Sequence, residues 1–366
     1  MPSIISVGQK NPPYEILQQT TTEFAKELFH DAYPDIERLL KVFSNGEIEK
    51  RNLTKPMDWF KDEHSLEDKN NIYIHNAINF GVEAIENCLG DSMFLKTPIE
   101  TEEIEAIFFI STTGLSTPSI EARIMNKLPF SPHTKRIPIW GLGCAGGASG
   151  LARAFDYCKA YPNAKVLVLS VEFCSLTFQR NDHTKSNLIG TSLFADGVAC
   201  ACMVGDDVNI GAISNLSTIP EILNTQSTLM PHSEDVMGWD IKNEGLYVIF
   251  SKDIPTIIRN WLKDNVVSFL SENNIRLEQI KQFIAHPGGK KVIHAYEVAL
   301  GFSKDKTKIS SEILKNYGNM SSATILYVLR QFMLSDDITD QDLGLAVALG
   351  PGFSSELLLM QWRKLN

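Results

Sequence analysis

Five of the ten residues from Gly141 to Gly150 are glycine, and Cys144 sits in their midst in Gly-Leu-Gly-Cys-Ala-Gly-Gly-Ala-Ser-Gly. Arg136 to Trp140, just before, reads as a strand; just after, Leu151, Ala154, Phe155 and Cys158 recur at helical spacing. A tight turn from strand into helix restricts this region to an α/β arrangement. Neighbours with almost no side chain leave the Cys144 sulfur open to close approach. The free N–H groups and positive dipole end of the following helix favour a thiolate there. A small thiol packed inside a crowded turn is the alternative use of the same residue.

The rest of the chain repeats this grammar. Ala106-Ile-Phe-Phe-Ile110 is a continuous apolar run ending in Ser-Thr-Thr-Gly114, as in a strand buried on both faces. The pattern continues as helix 118–127, strand 136–140, the Cys144 helix, strand 165–171 and strand 197–204. The fold class is therefore α/β with a substantial parallel sheet. In the second half, Gln282-Phe-Ile-Ala285 runs into His286-Pro-Gly-Gly289, and Tyr317-Gly-Asn319-Met-Ser-Ser-Ala323 opens an apolar helix reaching Phe332. Leu343 to Leu349 is a strand ending in Gly350-Pro351-Gly352. Matching 104–112 with 281–286, Cys144 with Asn319, and 165–171 with 343–349 gives intervals of about 38 and about 24 residues in both halves. A duplicated unit is expected, divided as 1–210 and 211–366, with the polar residues at strand ends and helix starts where α/β ligand sites form. Upstream, 15–44 has a helical pattern broken at Tyr33-Pro34, and 65–95 is helical again. Arg38, Lys41, Lys50 and Arg51 form the densest basic cluster near the N-terminus, either a solvated helix face or a clamp for phosphates.

At 366 residues, with 43% hydrophobic and 21% charged residues, the chain is long enough for two packed units. The net charge of −10 excludes a general surface for nucleic acid or anionic membrane, while leaving room for a local basic patch. Met1 to Gln19 lacks a signal-peptide core, and no run approaches the ~18 to 20 apolar residues of a membrane span, so a cytoplasmic protein is expected. The six cysteines (88, 144, 158, 174, 200 and 202) form no CxxC pair and are expected as free thiols. Cys200 and Cys202 alternate on one face of a strand and read as core. No metal site is expected.

A cysteine nucleophile needs a partner that handles charge, and His286 at a strand end before Pro-Gly-Gly is placed for this. A capping or core histidine is the plainer reading. Asn319 reads as a helix N-cap, and a neutral donor beside a histidine is also what an oxyanion or enolate site requires. Together the three residues fit carbon–carbon bond formation, with an acyl group carried on sulfur and an enolate held beside it.

At this point the sequence resembles a known family. Gly141-Leu-Gly-Cys144-Ala-Gly-Gly, Leu193-Phe194-Ala-Asp-Gly197, His286-Pro-Gly-Gly289, Gly318-Asn319-Met-Ser-Ser-Ala323 and Leu349-Gly-Pro-Gly352 are similar, in order, to those of type III polyketide synthases. These form the chalcone synthase superfamily within the thiolase fold, and the bacterial alkylpyrone-forming members look nearest. The resemblance runs from about residue 104 to 362. It implies a layered α-β-α-β-α architecture, with Cys144 as acyl-loading nucleophile and His286 and Asn319 orienting malonyl thioester and holding the enolate. It places Phe194 where the coenzyme A tunnel meets the cavity, Thr112, Cys174, Thr177 and Ser321 on the cavity lining, and Gly350, Pro351 and Gly352 in the cyclisation loop. Arg38 and Lys41 fall where the family grips coenzyme A phosphates, and Thr117 where it inserts a residue into the partner subunit's cavity. A homodimer is thereby implied, with acyl-CoA and malonyl-CoA as substrates and no further cofactor. An imidazolium at His286 is expected to hold Cys144 as thiolate.

Two positions depart from the plant pattern. Val248 replaces a gatekeeper phenylalanine, and Trp239 stands where plant enzymes keep glycine. A smaller gate with a bulkier pocket implies an aliphatic, long-chain starter, extended on malonyl-CoA and closed to an alkylpyrone. The rivals are a single-round ketoacyl-carrier-protein synthase, an aromatic-starter synthase and a non-catalytic acyl-binding protein. A degradative thiolase is disfavoured because no second cysteine follows Cys202.

Overall fold

The computed structural model describes residues 1–365. Its strands are β1 (Ser3–Lys10), β2 (Tyr14–Leu17), β3 (Lys50–Leu53), β4 (Ile104–Ile110), β5 (Lys135–Ile139), β6 (Lys165–Phe173) and β7 (Asp196–Val204). They continue with β8 (Thr218–Leu229), β9 (Met237–Lys242), β10 (Gly245–Phe250), β11 (Ile280–Ala285), β12 (Leu343–Gly350) and β13 (Ser354–Lys364). Nine of them hydrogen-bond in the order β11-β12-β13-β8-β1-β7-β6-β4-β5. Pairing is parallel at β4·β5, β4·β6 and β11·β12 and antiparallel at β6·β7, β1·β7, β12·β13, β13·β8 and β1·β8. The sheet is thus mixed rather than dominantly parallel. The sequence signals in β8 and β13 are diluted by polar residues, and both strands were absent from the pattern-based expectation.

The pairing scheme of β4, β6, β7 and β1 recurs in β11, β12, β13 and β8, parallel first and antiparallel afterwards. Only β5 lacks a counterpart. The matched segments 104–112 with 281–286 and 165–171 with 343–349 fall on corresponding strands.

Two helices pack between the halves of the sheet. Gly146–Ala160 lies against β4, β6, β12 and β13, and Thr324–Met333 against β1, β7, β8 and β11. All nine residues of β7 are buried, as expected for a strand covered on both faces, and Cys200 and Cys202 are core. The outer face of β1 and β7 is covered by Leu66–Gly90. Ser65 starts that helix with a reciprocal capping box to Asp68 (Asp68 N to Ser65 Oγ 3.1 Å, Ser65 N to Asp68 Oδ2 3.2 Å). On the other side, Lys263–Glu272 and Lys290–Leu300 bury Phe269, Leu270 and Tyr296 with Phe283 and Leu345.

Two local expectations change. Residues 14–17 are strand, pairing with β3, and the helix begins only at Gln18. The expected helix 118–127 shrinks to Ile120–Ile124. Among the described residues no helix is long and apolar enough to cross a membrane.

Candidate active site

Cys144 lies in a single tight turn, Gly143–Ala145, which leads directly into the helix Gly146–Ala160. Gly143 has φ +48°, and a side chain there would collide with Pro351. The Gly143 N–H donates to Thr112 Oγ1 at 3.1 Å. The turn is therefore fixed by the end of β4 on one side and by the Gly350–Gly352 loop on the other. Gly147 brings the helix start against the Ser322 carbonyl, where any Cβ would clash. In this way the two central helices meet at their N-termini and bring Cys144 to Asn319.

Asn319 binds on four sides. Its N–H donates to Leu193 O at 3.0 Å and its O accepts from Ala195 N at 2.8 Å, so it bridges Phe194. Its Nδ2 donates to Gly288 O at 3.2 Å and lies 4.0 Å from Cys144 Sγ, while its Oδ1 accepts from Ser321 N at 2.8 Å. It therefore caps the following turn and faces the sulfur at once. His286 ends β11, with its N–H on Val347 O at 2.8 Å. Both ring nitrogens are buried and have no protein partner. A buried imidazole with two open nitrogens is costly unless a ligand or water supplies the partners.

Burial pushes the Cys144 thiol up to about 12, with the Glu172 charge adding to it and hydrogen bonds from Ser321 and Asn319 opposing. Burial alone depresses the His286 imidazole to about 3. Burial thus works against both the thiolate and the imidazolium taken singly, opposing the standing thiolate that the turn suggests. Each ion alone is expensive in this site, and only the two formed together attract each other.

The predicted site residues divide into two groups. Thr112, Cys144, Cys174, Thr177, Phe194, His286, Asn319, Ser321 and the Gly350–Gly352 loop surround one interior. Arg38, Lys41 and Thr117 are exposed at the surface. The helices Ile36–Leu39 and Lys41–Asn45 pack through Ile36, Leu40 and Phe43 on Leu188, within the helix Lys185–Leu193 whose C-cap is Phe194. Arg51 leaves the basic cluster altogether. It is 1% exposed and donates to the carbonyls of Thr191 (2.9 Å), Ser192 (2.7 Å) and Phe194 (2.8 Å). Its desolvation lowers its pKa to about 9.

A narrow cavity extends from this interior, open to the centres of water-sized molecules over ≈ 60 Å³. Phe194, Val248, Cys174, Thr177, Phe24, Leu53, Met57, Phe60 and Phe178 line it, together with Thr21, Arg51, Ser175, Asn187 and Thr191. Trp239 donates Nε1–H to Thr112 O at 2.9 Å, and its ring lies 6.4 Å from that of Phe194, filling the opposite side.

Glu172 was not among the expected site residues. It is fully buried, accepts from Thr112 N (3.0 Å), Thr113 Oγ1 (3.0 Å) and Ser322 Oγ, and burial raises it to about 7. Its sequence signal is a carboxylate near the end of the largely apolar strand β6.

Residues 38–208 match the family model for the N-terminal domain of chalcone and stilbene synthases, and residues 221–363 match that for the C-terminal domain. The chain belongs to the chalcone and stilbene synthase family. It is 54% identical over 364 residues to a Bacillus subtilis (strain 168) protein provisionally named a chalcone synthase, with both chains covered in full. It is 30% identical over 360 residues to the 1,3,6,8-tetrahydroxynaphthalene synthase of Streptomyces peucetius subsp. caesius, covering 98% of this chain and 93% of the other. Among solved structures, the bacterial type III polyketide synthase of that same name from Streptomyces coelicolor A3(2) superposes with a TM-score of 0.91 at 27% identity, over 99% of each chain. The protein is thus a type III polyketide synthase of thiolase-like fold, an acyltransferase that condenses coenzyme A thioesters with loss of carbon dioxide and needs no other cofactor.

Proposed function

We propose that this synthase loads a long-chain aliphatic acyl group from acyl-CoA onto Cys144, extends it repeatedly with malonyl-CoA and closes the product to an alkylpyrone. The Cys144 proton passes to His286 as sulfur attacks the thioester carbonyl, and coenzyme A leaves as its thiol after taking that proton. Burial, which disfavours either ion alone, fits this order, because each charge is then transient. Malonyl thioester next binds with its carbonyl at His286 and Asn319 Nδ2. The bond to its carboxylate breaks, carbon dioxide leaves, and the electron pair becomes an enolate held by these donors. The enolate carbon attacks the Cys144-bound acyl carbonyl and expels sulfur. Each elongated coenzyme A thioester returns to Cys144 with release of coenzyme A before the next round, and after the last an enol oxygen attacks the thioester carbonyl, the carbon–sulfur bond breaks and the thiol leaves with the enol proton as the ring closes.

The observation that carries the aliphatic starter is the lining of the cavity. Phe24, Leu53, Met57, Phe60, Phe178, Phe194 and Val248 make up its apolar wall, with Thr21, Arg51, Ser175, Asn187 and Thr191 among the polar residues that complete the lining. An alkyl chain gains about 0.8 kcal/mol per methylene buried against such a wall. Trp239 blocks the other direction. A second reading, closure to a hydroxylated aromatic ring, is favoured by relatives named 1,3,6,8-tetrahydroxynaphthalene synthase and phloroglucinol synthase.

The same reading makes the protein a cytoplasmic homodimer of two thiolase-like halves, 1–210 and 211–366. Thr117 lies two residues after Leu115, and Trp140, just past the edge strand β5, donates to Gly114 O at 3.3 Å; Leu115 and Trp140 are both 48% exposed, and such an apolar rim supports a second copy there. Arg38 and Lys41, carried on helices packed behind Phe194, are assigned to the coenzyme A phosphates. Mass spectrometry of products from malonyl-CoA and a panel of aliphatic and aromatic acyl-CoA starters tests the proposal. Pyrones from long-chain starters are expected. Turnover restricted to aromatic starters, or aromatic-ring products alone, contradicts it.

A further inference from the structure

One wall of the cavity is aromatic and one side chain thick. Phe60 and Phe178 line the cavity on their inner side and also line a separate outer groove of ≈ 620 Å³ with Trp59, His64 and Tyr247. Their rings stand edge to face with centroids 6.1 Å apart, and Phe178 meets Phe24 in the same way at 5.7 Å. Phe60 is 4% exposed. The two wall segments are also tied together behind the rings. Lys69 donates to Phe178 O at 3.0 Å and to Gln179 Oε1 at 2.9 Å, and Arg180 Nε donates to Lys61 O at 2.6 Å.

The geometry points to the Phe60–Phe178 pair as the terminal stop that sets which acyl chain length the synthase accepts. This inference rests on the aliphatic-starter reading and adds the residues that fix its length. The proximal end of the cavity is at Phe194, whose backbone bridges to Asn319, so a chain anchored at Cys144 enters there. Phe60 and Phe178 are the lining residues that the cavity shares with the outer groove. Met57 is flexible and yields to a chain, whereas the cross-tied wall does not. Every further methylene beyond the wall must displace an aromatic ring packed on both faces. Removing one ring joins the cavity to the groove, so a longer tail emerges between Trp59 and Tyr247.

The test is competition among saturated starters from hexanoyl- to icosanoyl-CoA with malonyl-CoA, comparing wild type, Phe60→Ala, Phe178→Leu and Phe60→Trp. Products are quantified by mass spectrometry and the fold of each variant is checked by thermal melting. Phe60→Ala and Phe178→Leu are expected to raise the yield from long chains relative to medium chains about tenfold, the scale of burying a few more methylenes. Phe60→Trp is expected to move the optimum to shorter chains, and it decides the matter should the smaller variants unfold. A length profile unchanged in all folded variants overturns the stop while leaving the aliphatic reading standing. A wild type that extends no aliphatic starter overturns both.

Discussion

Asn319 is hydrogen-bonded through its backbone on both sides of Phe194, from its N–H to Leu193 O at 3.0 Å and from Ala195 N to its O at 2.8 Å. The amide that faces Cys144 and the aromatic ring at the cavity mouth therefore move as one unit. Anything that loosens residues 191–195 displaces Asn319 Nδ2 from the sulfur, 4.0 Å away.

Arg51 is the main restraint on that segment. Replacing it with Met leaves the carbonyls of Thr191 and Phe194 without their donor in a buried setting, at about 1–3 kcal/mol for each group that finds no water, while Ser192 O keeps the bond from Gln18 Nε2 at 3.0 Å. Urea denaturation is expected to show a loss on the order of 3 kcal/mol. Turnover should also fall further than malonyl-CoA binding does. A variant as stable and active as wild type would show that these carbonyls have other partners.

Asn319→Ala removes the one side-chain amide aimed at the sulfur and the developing enolate. By comparison with other sites that lose one oxyanion donor, kcat should drop by roughly 10²–10³ with little change in KM. Steady-state release of carbon dioxide from malonyl-CoA reads this directly. An equal rise in KM with kcat preserved would assign the amide to ground-state binding.

Glu172 and His286 act on stability in opposite directions. Glu172 has a pKa raised from 4.5 to about 7, so its contribution is fully present below pH 4.5 and is lost as pH rises through 7. His286 is lowered from 6.5 to about 3, so its contribution is present above pH 6.5 and is lost as pH falls through 3. Between pH 4.5 and 6.5 the two slopes cancel. In Glu172→Gln only the histidine slope survives. The variant should therefore gain on wild type, by up to roughly 2–3 kcal/mol, as pH rises from 4.5 to 7. Parallel pH profiles for the two proteins would place the Glu172 carboxyl back in the ordinary range.

Val248 and Phe194 both line the cavity and both approach Gly190. Val248→Phe narrows that space, and yields from long-chain starters should fall about tenfold relative to short ones. A uniform loss across the starter panel would point to misfolding of β10 instead.

Much of this site was readable because its signals are local. The Gly-rich turn around Cys144, the strand-to-His286 junction and the Asn319 turn each announce themselves within about ten residues. The matched intervals between the halves survive as corresponding strands. Arg51 was misread as part of a solvent-facing cluster because nothing near it in sequence reveals the carbonyls of residues 191–194 that surround it. Glu172 was missed for the same reason: its partners Thr112, Thr113 and Ser322 lie 59 to 150 positions away. The upward push on the Cys144 thiol comes from burial, which the turn alone does not reveal. The aromatic wall joins residues from an N-terminal turn and the segment after β6, a juxtaposition only tertiary structure creates.

The most direct measurement is intact-protein and peptide mass spectrometry after incubation with a long-chain acyl-CoA alone. The account predicts a mass gain of one acyl group, mapped to the peptide containing Cys144, absent in Cys144→Ala and followed by loss of the adduct to elongated product when malonyl-CoA is added. An acyl group on another residue, or elongation by Cys144→Ala at the wild-type rate, would contradict it.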